Sequence, residues 1–377
     1  MTFQFHTLIV TFLALLVAAC SGTSAPQSNQ SNDGGGQAGG GAPDPTEQEG
    51  GQGGGGSAPL PEDCLAPGDY TQPAYDPNAQ YTIFTVDPAQ TDPAIDMLPS
   101  RQHRVVLADG ADKRGELLFL YSGSGADTHD ATHVLRTAAT AGYHVIALHY
   151  VNNTSVNDNC KGQDPTCHGT ILQEKIYGDT DGALLSVGPN NSVIHRAEKL
   201  LAHLIDTRPQ PEGWQDFQKA DGTIEWKSVA VMGGSQGGKV AAYLSRDFAV
   251  ARAVLLSAMG SAYPNAGKAQ VSPWSLEPRA TPPENTYGLW HEQETANLYA
   301  PVILESYGVD ELGETVDIDT AEPPYNCSHM LRTNLMPSSG DIAHAHPSLG
   351  KDDLLAMDDN GTPSLAPVWM YMLTADR

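Results

Sequence analysis

The chain has 377 residues, a formal net charge of −25 from 45 acidic against 20 basic residues, and a composition that is 40% hydrophobic but only 7% aromatic. That length fits one large domain with appended segments. The negative charge argues against nucleic acid and against docking on anionic lipid through a basic face, and it leaves the substrate open.

Residues 1–19 stand apart from any fold. Thr7–Ala19 is a run dominated by apolar residues, short for a membrane span of about 20 residues and suited to the core of a signal peptide. It ends Val17-Ala18-Ala19-Cys20, which resembles a bacterial lipobox although the preceding segment carries no Lys or Arg. The resemblance implies cleavage before Cys20, lipidation of its thiol and, with Ser21 following, sorting to the outer membrane of a Gram-negative cell. Residues 20–60 read as a tether. Thirteen of the 38 glycines lie in 21–60 with Ser, Pro and Gln and no aromatic residue, so the segment cannot bury enough apolar surface to offset chain entropy. As flexible coil it reaches roughly 35 Å.

Residues 61–377 form the expected single domain, with 41 acidic and 20 basic residues. With Cys20 assigned to lipid, Cys64, Cys160, Cys167 and Cys327 remain. An even number in an exported chain predicts disulfides. Cys160 and Cys167 close a short loop and are the expected pair, leaving Cys64 for Cys327. A metal site using His168 or His329 is the rival, and no C-x-x-C pair supports it.

Tyr81–Val86 and His103–Leu107 read as a first hairpin, and Leu117–Tyr121 as a buried strand entering Ser122-Gly123-Ser124-Gly125. A helix follows, capped by Asp127 or Thr128, with Val134, Leu135 and Ala138 on one face and Gly142 as its stop. His144–Tyr150 is the next strand, which makes a right-handed crossover unit. Asn191–Ile205 is a second helix, with Ile194, Ala197, Leu201 and Leu204 in phase. Trp226–Met232 returns to the sheet and enters Gly233-Gly234-Ser235-Gln236-Gly237-Gly238. Helix formers follow, then a strand at Ala253–Leu256. Alternating strands and helices predict an open, mostly parallel sheet with helices on both faces and ligands at the carboxyl ends of its strands.

Ser235 is the centre of a G-x-S-x-G pentapeptide. The pentapeptide alone is a weak signal, and its setting between an apolar strand and a helix gives it weight. A serine on so sharp a turn needs small residues two positions either side, because strand and helix nearly touch. At these residues the chain resembles the α/β-hydrolase superfamily of serine hydrolases, from about Tyr81 to the C-terminus. The resemblance implies an α/β-hydrolase fold, Ser235 as nucleophile, and an acid and a histidine following it in that order. The histidine is expected in a loop before the closing helix at Ser364–Leu373. His344 and His346 both qualify, and His346-Pro-Ser with Asp352 beyond fits that branch better. For the acid, Asp310 after Pro301–Leu304 is one reading, and Glu292 is a lesser rival. Glu294 is preferred: Thr286–Glu294 is then the strand and its acid, Thr295–Tyr307 a helix stopped by Gly308, and the last strand lies between Glu314 and Thr333. The oxyanion hole would use the backbone amides of Gln236 and of one residue in Ser122–Gly125, taken as Ser124. Substrate walls are expected from Val151–Lys175, Ser261–Asn285 and the stretch before His346. Trp274, Tyr263 and Trp290 are candidate apolar contacts, but each such residue is more often core than pocket, and none is assigned.

The expectation is a lipid-anchored carboxylic ester hydrolase acting on a small-molecule or lipid ester, without metal or cofactor. A non-catalytic lipoprotein using a hydrolase scaffold for binding is the alternative. Gly233–Gly238 is not G-x-G-x-x-G, and no Walker A motif is present.

Overall fold

A computed structural model describes residues 64–161, 164–265 and 268–375. The expected signal peptide (1–19), Cys20 and the 20–60 tether lie outside the described residues. In chain order the first elements are β1 (Tyr81–Val86), α1 (Pro88–Thr91), β2 (His103–Ala108), β3 (Leu117–Tyr121), α2 (Thr132–Thr140) and β4 (His144–Ala147). Next come α3 (Val156–Asn159), α4 (Cys167–Tyr177), α5 (Val193–Thr207), β5 (Val229–Gly234), α6 (Gln236–Asp247) and β6 (Arg252–Leu256). The chain continues through β7 (Ala262–Asn265), β8 (Lys268–Val271), β9 (Thr286–His291), α7 (Ala300–Ser306), β10 (Val316–Asp317), β11 (Met330–Thr333) and α8 (Ala366–Thr374).

The central sheet has the order β1-β2-β4-β3-β5-β6-β9-β11-β10, and β7 pairs with β8 apart from it. Every join from β4 to β10 is parallel, whereas β1–β2 and β2–β4 are antiparallel. The central parallel strands β3 to β6 are mostly apolar without alternation because both faces are covered. Phe119, Tyr121, Val229, Val231 and Leu255 pack into a core with α4, α5, α6 and α7. Leu118, Leu120, Ala230, Met232, Val254 and Leu256 pack into a second core with α2 and α8. Burying each such Leu, Val or Phe side chain contributes about 1.5–3 kcal/mol. The architecture is therefore α/β, a large, mostly parallel sheet between two helical layers.

From β3 the chain crosses to β4 on one side and later adds β5 on the other. Strand order thus reverses at the β3–β5 join, where Tyr121 lies opposite Gly233. The loops leaving these neighbouring carboxyl ends diverge, and the crevice between them is where open α/β sheets bind ligands.

β1 and β2 do pair antiparallel as the expected first hairpin, with α1 in the connection between them. Several expectations need correction. α2 begins at Thr132, not at Asp127 or Thr128. Asp127 is occupied in a turn with His129, and the first amides of α2 bond to the Asp352 carboxylate, Thr132 N–H at 2.7 Å and His133 N–H at 3.1 Å. Regular pairing of β4 stops at Ala147, although His149 and Tyr150 stay buried. Ile194 is only partly buried, and the inner face of α5 carries Arg196. β7 and β8 pair antiparallel within a stretch for which the sequence pattern predicts no strands.

Disulfides join Cys160 to Cys167 and Cys64 to Cys327. Among the described residues no group of three or more His, Cys, Asp or Glu side chains could hold a metal ion, and no helix is long and apolar enough to cross a membrane. His329 stacks on Tyr287 with ring centroids 4.0 Å apart and donates from Nδ1 to the Thr286 carbonyl.

Two buried imidazoles fix a pH response. Burial, reinforced by Arg196 and Arg101, pushes His149 down to about 3. Burial, with Arg196 and His149 beside it, holds His103 well below its ordinary value. Both rings stay neutral in the fold while an unfolded chain takes up protons below about pH 6.5. Stability therefore falls as pH drops from about 6.5 towards about 4, by up to ~1.4 kcal/mol per pH unit for each ring. The melting temperature should fall measurably between pH 7 and pH 5, and a flat profile across that window would contradict the assignment.

Candidate active site

The turn between β5 and α6 is held in a conformation that few sequences permit. A Cβ on Gly233 would stand 2.2 Å from the Gly237 carbonyl oxygen, and one on Gly237 would stand 1.8 Å from that of Tyr121. The next residue is as tight, since a Cβ on Gly238 would lie 2.3 Å from the Ala258 carbonyl oxygen. Gly234 meets nothing within 4 Å, so its neighbours impose no such demand. With the strand and α6 in such contact, Ser235 takes φ 56° and ψ −123°, a region costly for a residue with a Cβ. Its amide donates to the Leu256 carbonyl at 3.0 Å and its carbonyl accepts from Lys239 N–H at 3.2 Å.

The Ser122–Gly125 loop leaves β3 directly over this turn. A Cβ on Gly123 would meet the Ser235 Cβ at 3.2 Å. Residues from elsewhere fix the loop. Asn152 Nδ2 donates to the carbonyls of Gly123 and Ala126, both at 2.8 Å, and the Tyr150 hydroxyl donates to Ser122 O at 2.8 Å. Arg101 Nη1 donates to Gly125 O and Ala126 O. The Gly125 amide is committed to Asn152 O at 2.8 Å. Ser124 lies with Ser235 and Gln236 on one cavity wall. The Gln236 side chain is turned inward, its Oε1 accepting from Val156 N–H at 2.9 Å.

β9 ends at His291, and Glu294 follows in a tight turn with its side chain 2% exposed. One carboxylate oxygen accepts the His291 amide at 2.8 Å, and the other is hydrogen-bonded to Nδ1 of His346. That partner makes Nδ1 the protonated nitrogen and leaves the Nε2 lone pair free to take a proton. The Ser257 hydroxyl donates to the His346 carbonyl at 2.7 Å and anchors that loop to the end of β6. Asp352 ties the far side of the loop to α2, through the amide bonds described above and through its own N–H to Asp130 O at 2.7 Å.

The other candidates sit elsewhere. His344 is exposed, hydrogen-bonded through Nδ1 to Ser339 Oγ at 2.9 Å. Asp310 is exposed in the 3₁₀ turn after α7, and Glu292 lies within 3.7 Å of Arg332. His291 is buried and donates from Nε2 to Leu335 O, while its Nδ1 accepts from Gln293 N–H.

Two cavities meet at Ser124, Ser235, Ser257 and His346. The smaller, about 170 Å³, extends past Val156, Asn157 and Lys239 towards Met259, Tyr299 and Ile303. The larger, about 690 Å³, runs along Leu120, Val134, Leu256, Leu349 and Leu354, with His344 at its wall. Among the described residues the Ser235 hydroxyl is not hydrogen-bonded to the His346 ring, and such contacts commonly tighten only around substrate. Of the expected walls, Val151–Lys175 contributes Ser155–Asn157 and Ser261–Asn285 contributes Ala262. Trp274 and Trp290 are core side chains, and Tyr263 lies on β7.

Sequence reasoning missed Asn152, Tyr150, Arg101, Ser257 and the helix-capping role of Asp352. Each acts on backbone far away in the chain, and no local pattern marks such a contact.

Gly237→Ala should cost about 3 kcal/mol or more, because a methyl group cannot fit against the Tyr121 carbonyl without moving α6. Gly234→Ala, with open space around it, should cost far less. Denaturant unfolding of the two variants compares them, and equal losses would contradict the packing.

No known protein-family profile matches the chain, and no curated protein matches it.

Proposed function

We propose that this protein is a serine hydrolase of the α/β-hydrolase superfamily that cleaves carboxylic esters through an acyl-enzyme. One observation carries the reading: a strained Ser235 at the β3–β5 crevice shares both cavities with His346, whose Nδ1 is held by the buried Glu294. Ser235 Oγ attacks the ester carbonyl as its proton passes to His346 Nε2. The new O–C bond makes a tetrahedral oxyanion, with the amides of the cavity-lining residues Gln236 and Ser124 as its stabilising donors. One such donor is commonly worth ~3 kcal/mol in the transition state. Collapse breaks the bond to the leaving alkoxide, which takes the proton from His346. Water, deprotonated by the same ring, then releases the acid and regenerates Ser235. Glu294 fixes the ring tautomer and offsets the imidazolium charge, a task Glu performs as Asp does.

Ser235→Ala should abolish labelling by a fluorophosphonate probe and leave the melting temperature within a few degrees of, or above, that of the parent. Labelling that survives would refute the nucleophile. Glu294→Gln should lower kcat by roughly 10³- to 10⁴-fold by favouring the wrong tautomer, whereas Asp310→Asn should cost less than about tenfold. A reversed order would move the acid to Asp310.

We further propose that the mature chain starts at a lipid-modified Cys20 and is held at a bacterial outer membrane, on the strength of Val17–Cys20 and Ser21. Intact-mass measurement of membrane-extracted protein should show residues 1–19 removed and acyl chains added. An uncleaved or unacylated N-terminus would overturn this.

A further inference from the structure

Two lysines are buried near the crevice, and they differ in what surrounds them. Lys175 Nζ donates to Val151 O at 2.7 Å and Thr154 O at 3.1 Å, with Thr154 Oγ1 at 3.5 Å. It is a strut for the Val151–Thr154 loop. Lys239 is 9% exposed and lines the smaller cavity one helical turn after Ser235. Its Nζ donates to Asn157 Oδ1 at 2.6 Å, and no carboxylate of the described residues forms an ion pair with it. An ammonium has three donors, so two remain for a partner. The nearby ionisable ring, His168, is pushed down to about 4, by burial first and then by the Lys239 charge, and is neutral at pH 7. Burial also pushes Lys239 itself down to about 8, so it is still mostly charged at that pH. A buried charge without a counter-ion is costly, and an anionic ligand in the cavity would offset that cost.

We propose that Lys239, with Asn157, is a specificity-determining site for a carboxylate on the acyl half of the ester, placing the substrates among half-esters of short dicarboxylic acids. The smaller cavity has room for a short acyl chain that ends in an anion, and the larger, leucine-lined cavity takes the alcohol half. The acidic balance of the whole chain does not attract anions at long range, so selection rests on this local cation. The assignment of acyl and alcohol halves depends on the proposed hydrolase reading, whereas the anion site does not.

The test has a kinetic and a binding arm. In the first, p-nitrophenyl hemiglutarate and p-nitrophenyl valerate are compared, with uncatalysed hydrolysis subtracted. The parent should prefer the hemiglutarate at least tenfold in kcat/KM. Lys239→Met should lose about 30-fold or more on it, mostly in KM, and less than about threefold on the valerate. Lys239→Arg should retain part of the preference. In the second arm, calorimetry with Ser235→Ala should detect glutarate but not glutaramide, and adding Lys239→Met should abolish the glutarate signal. Lys239→Met should melt no lower than the parent, since it removes a desolvated charge; if it fails to fold, Lys239→Gln replaces it in both arms. Turnover without charge preference overturns the anion site and leaves the hydrolase reading intact. Glutarate binding that depends on Lys239 without any turnover or probe labelling keeps the anion site and overturns the hydrolase reading. Equal losses on both substrates, or no glutarate binding, overturn the proposal.

Discussion

The contact on which the site depends is between two pieces of backbone. α6 approaches β3 so closely that the Gly237 Cα faces the Tyr121 carbonyl with no room for a methyl group. This contact fixes three things at once. It sets the angle at which α6 leaves β5, it drives Ser235 into its unfavourable φ/ψ, and it holds the Ser122–Gly125 loop against the serine. Strain of this kind, ~1–3 kcal/mol for a residue outside the usual regions, persists only where the surroundings over-determine it. Here the surroundings are the continuously apolar strands β3, β5 and β6, buried on both faces.

Around that rigid centre, the polar parts are held by hydrogen bonds from residues that are mostly distant in the chain. Asn152 stands in for backbone by bridging two carbonyls of the loop after β3, and Ser257 holds the histidine loop by its backbone. Asp352 closes the ring by accepting two amides at the start of α2, where a carboxylate also meets the positive end of the helix. Glu294 combines both roles, with one oxygen on the backbone of its own turn and the other on the His346 ring. Rotating that carboxylate to suit a different ring position would break the His291 amide bond, so the ring inherits the rigidity of β9.

What could be read from the chain follows the range of the interactions involved. β3 and β6 are dense apolar runs and lie where the pattern puts them, whereas β5 begins three residues later than expected, at Val229, because Trp226–Ser228 form a 3₁₀ turn. The G-x-S-x-G turn was legible because the steric demand on Gly233 and Gly237 falls two residues either side of Ser235. Counting one helix between successive strands placed Glu294 after β9 and Asp310 after α7, which is where they are found. The start of α2 was misread because its cap comes from Asp352, 220 positions away, while Asp127 offered a local alternative. Lys239 drew no attention in sequence: in a helix of Val, Ala, Tyr and Leu, a lysine normally marks the solvated face, and only the cavity beside α6 shows that this one is inside.

The Cys160–Cys167 bond takes on a second meaning from where it lies. It links the end of α3 to the first residue of α4, and α3 carries Val156 and Asn157 into the smaller cavity. None of Ser235, Glu294 or His346 falls within that loop. The bond, itself buried in the core, therefore braces the segment that presents Val156 and Asn157 to the smaller cavity and acts on none of those three side chains.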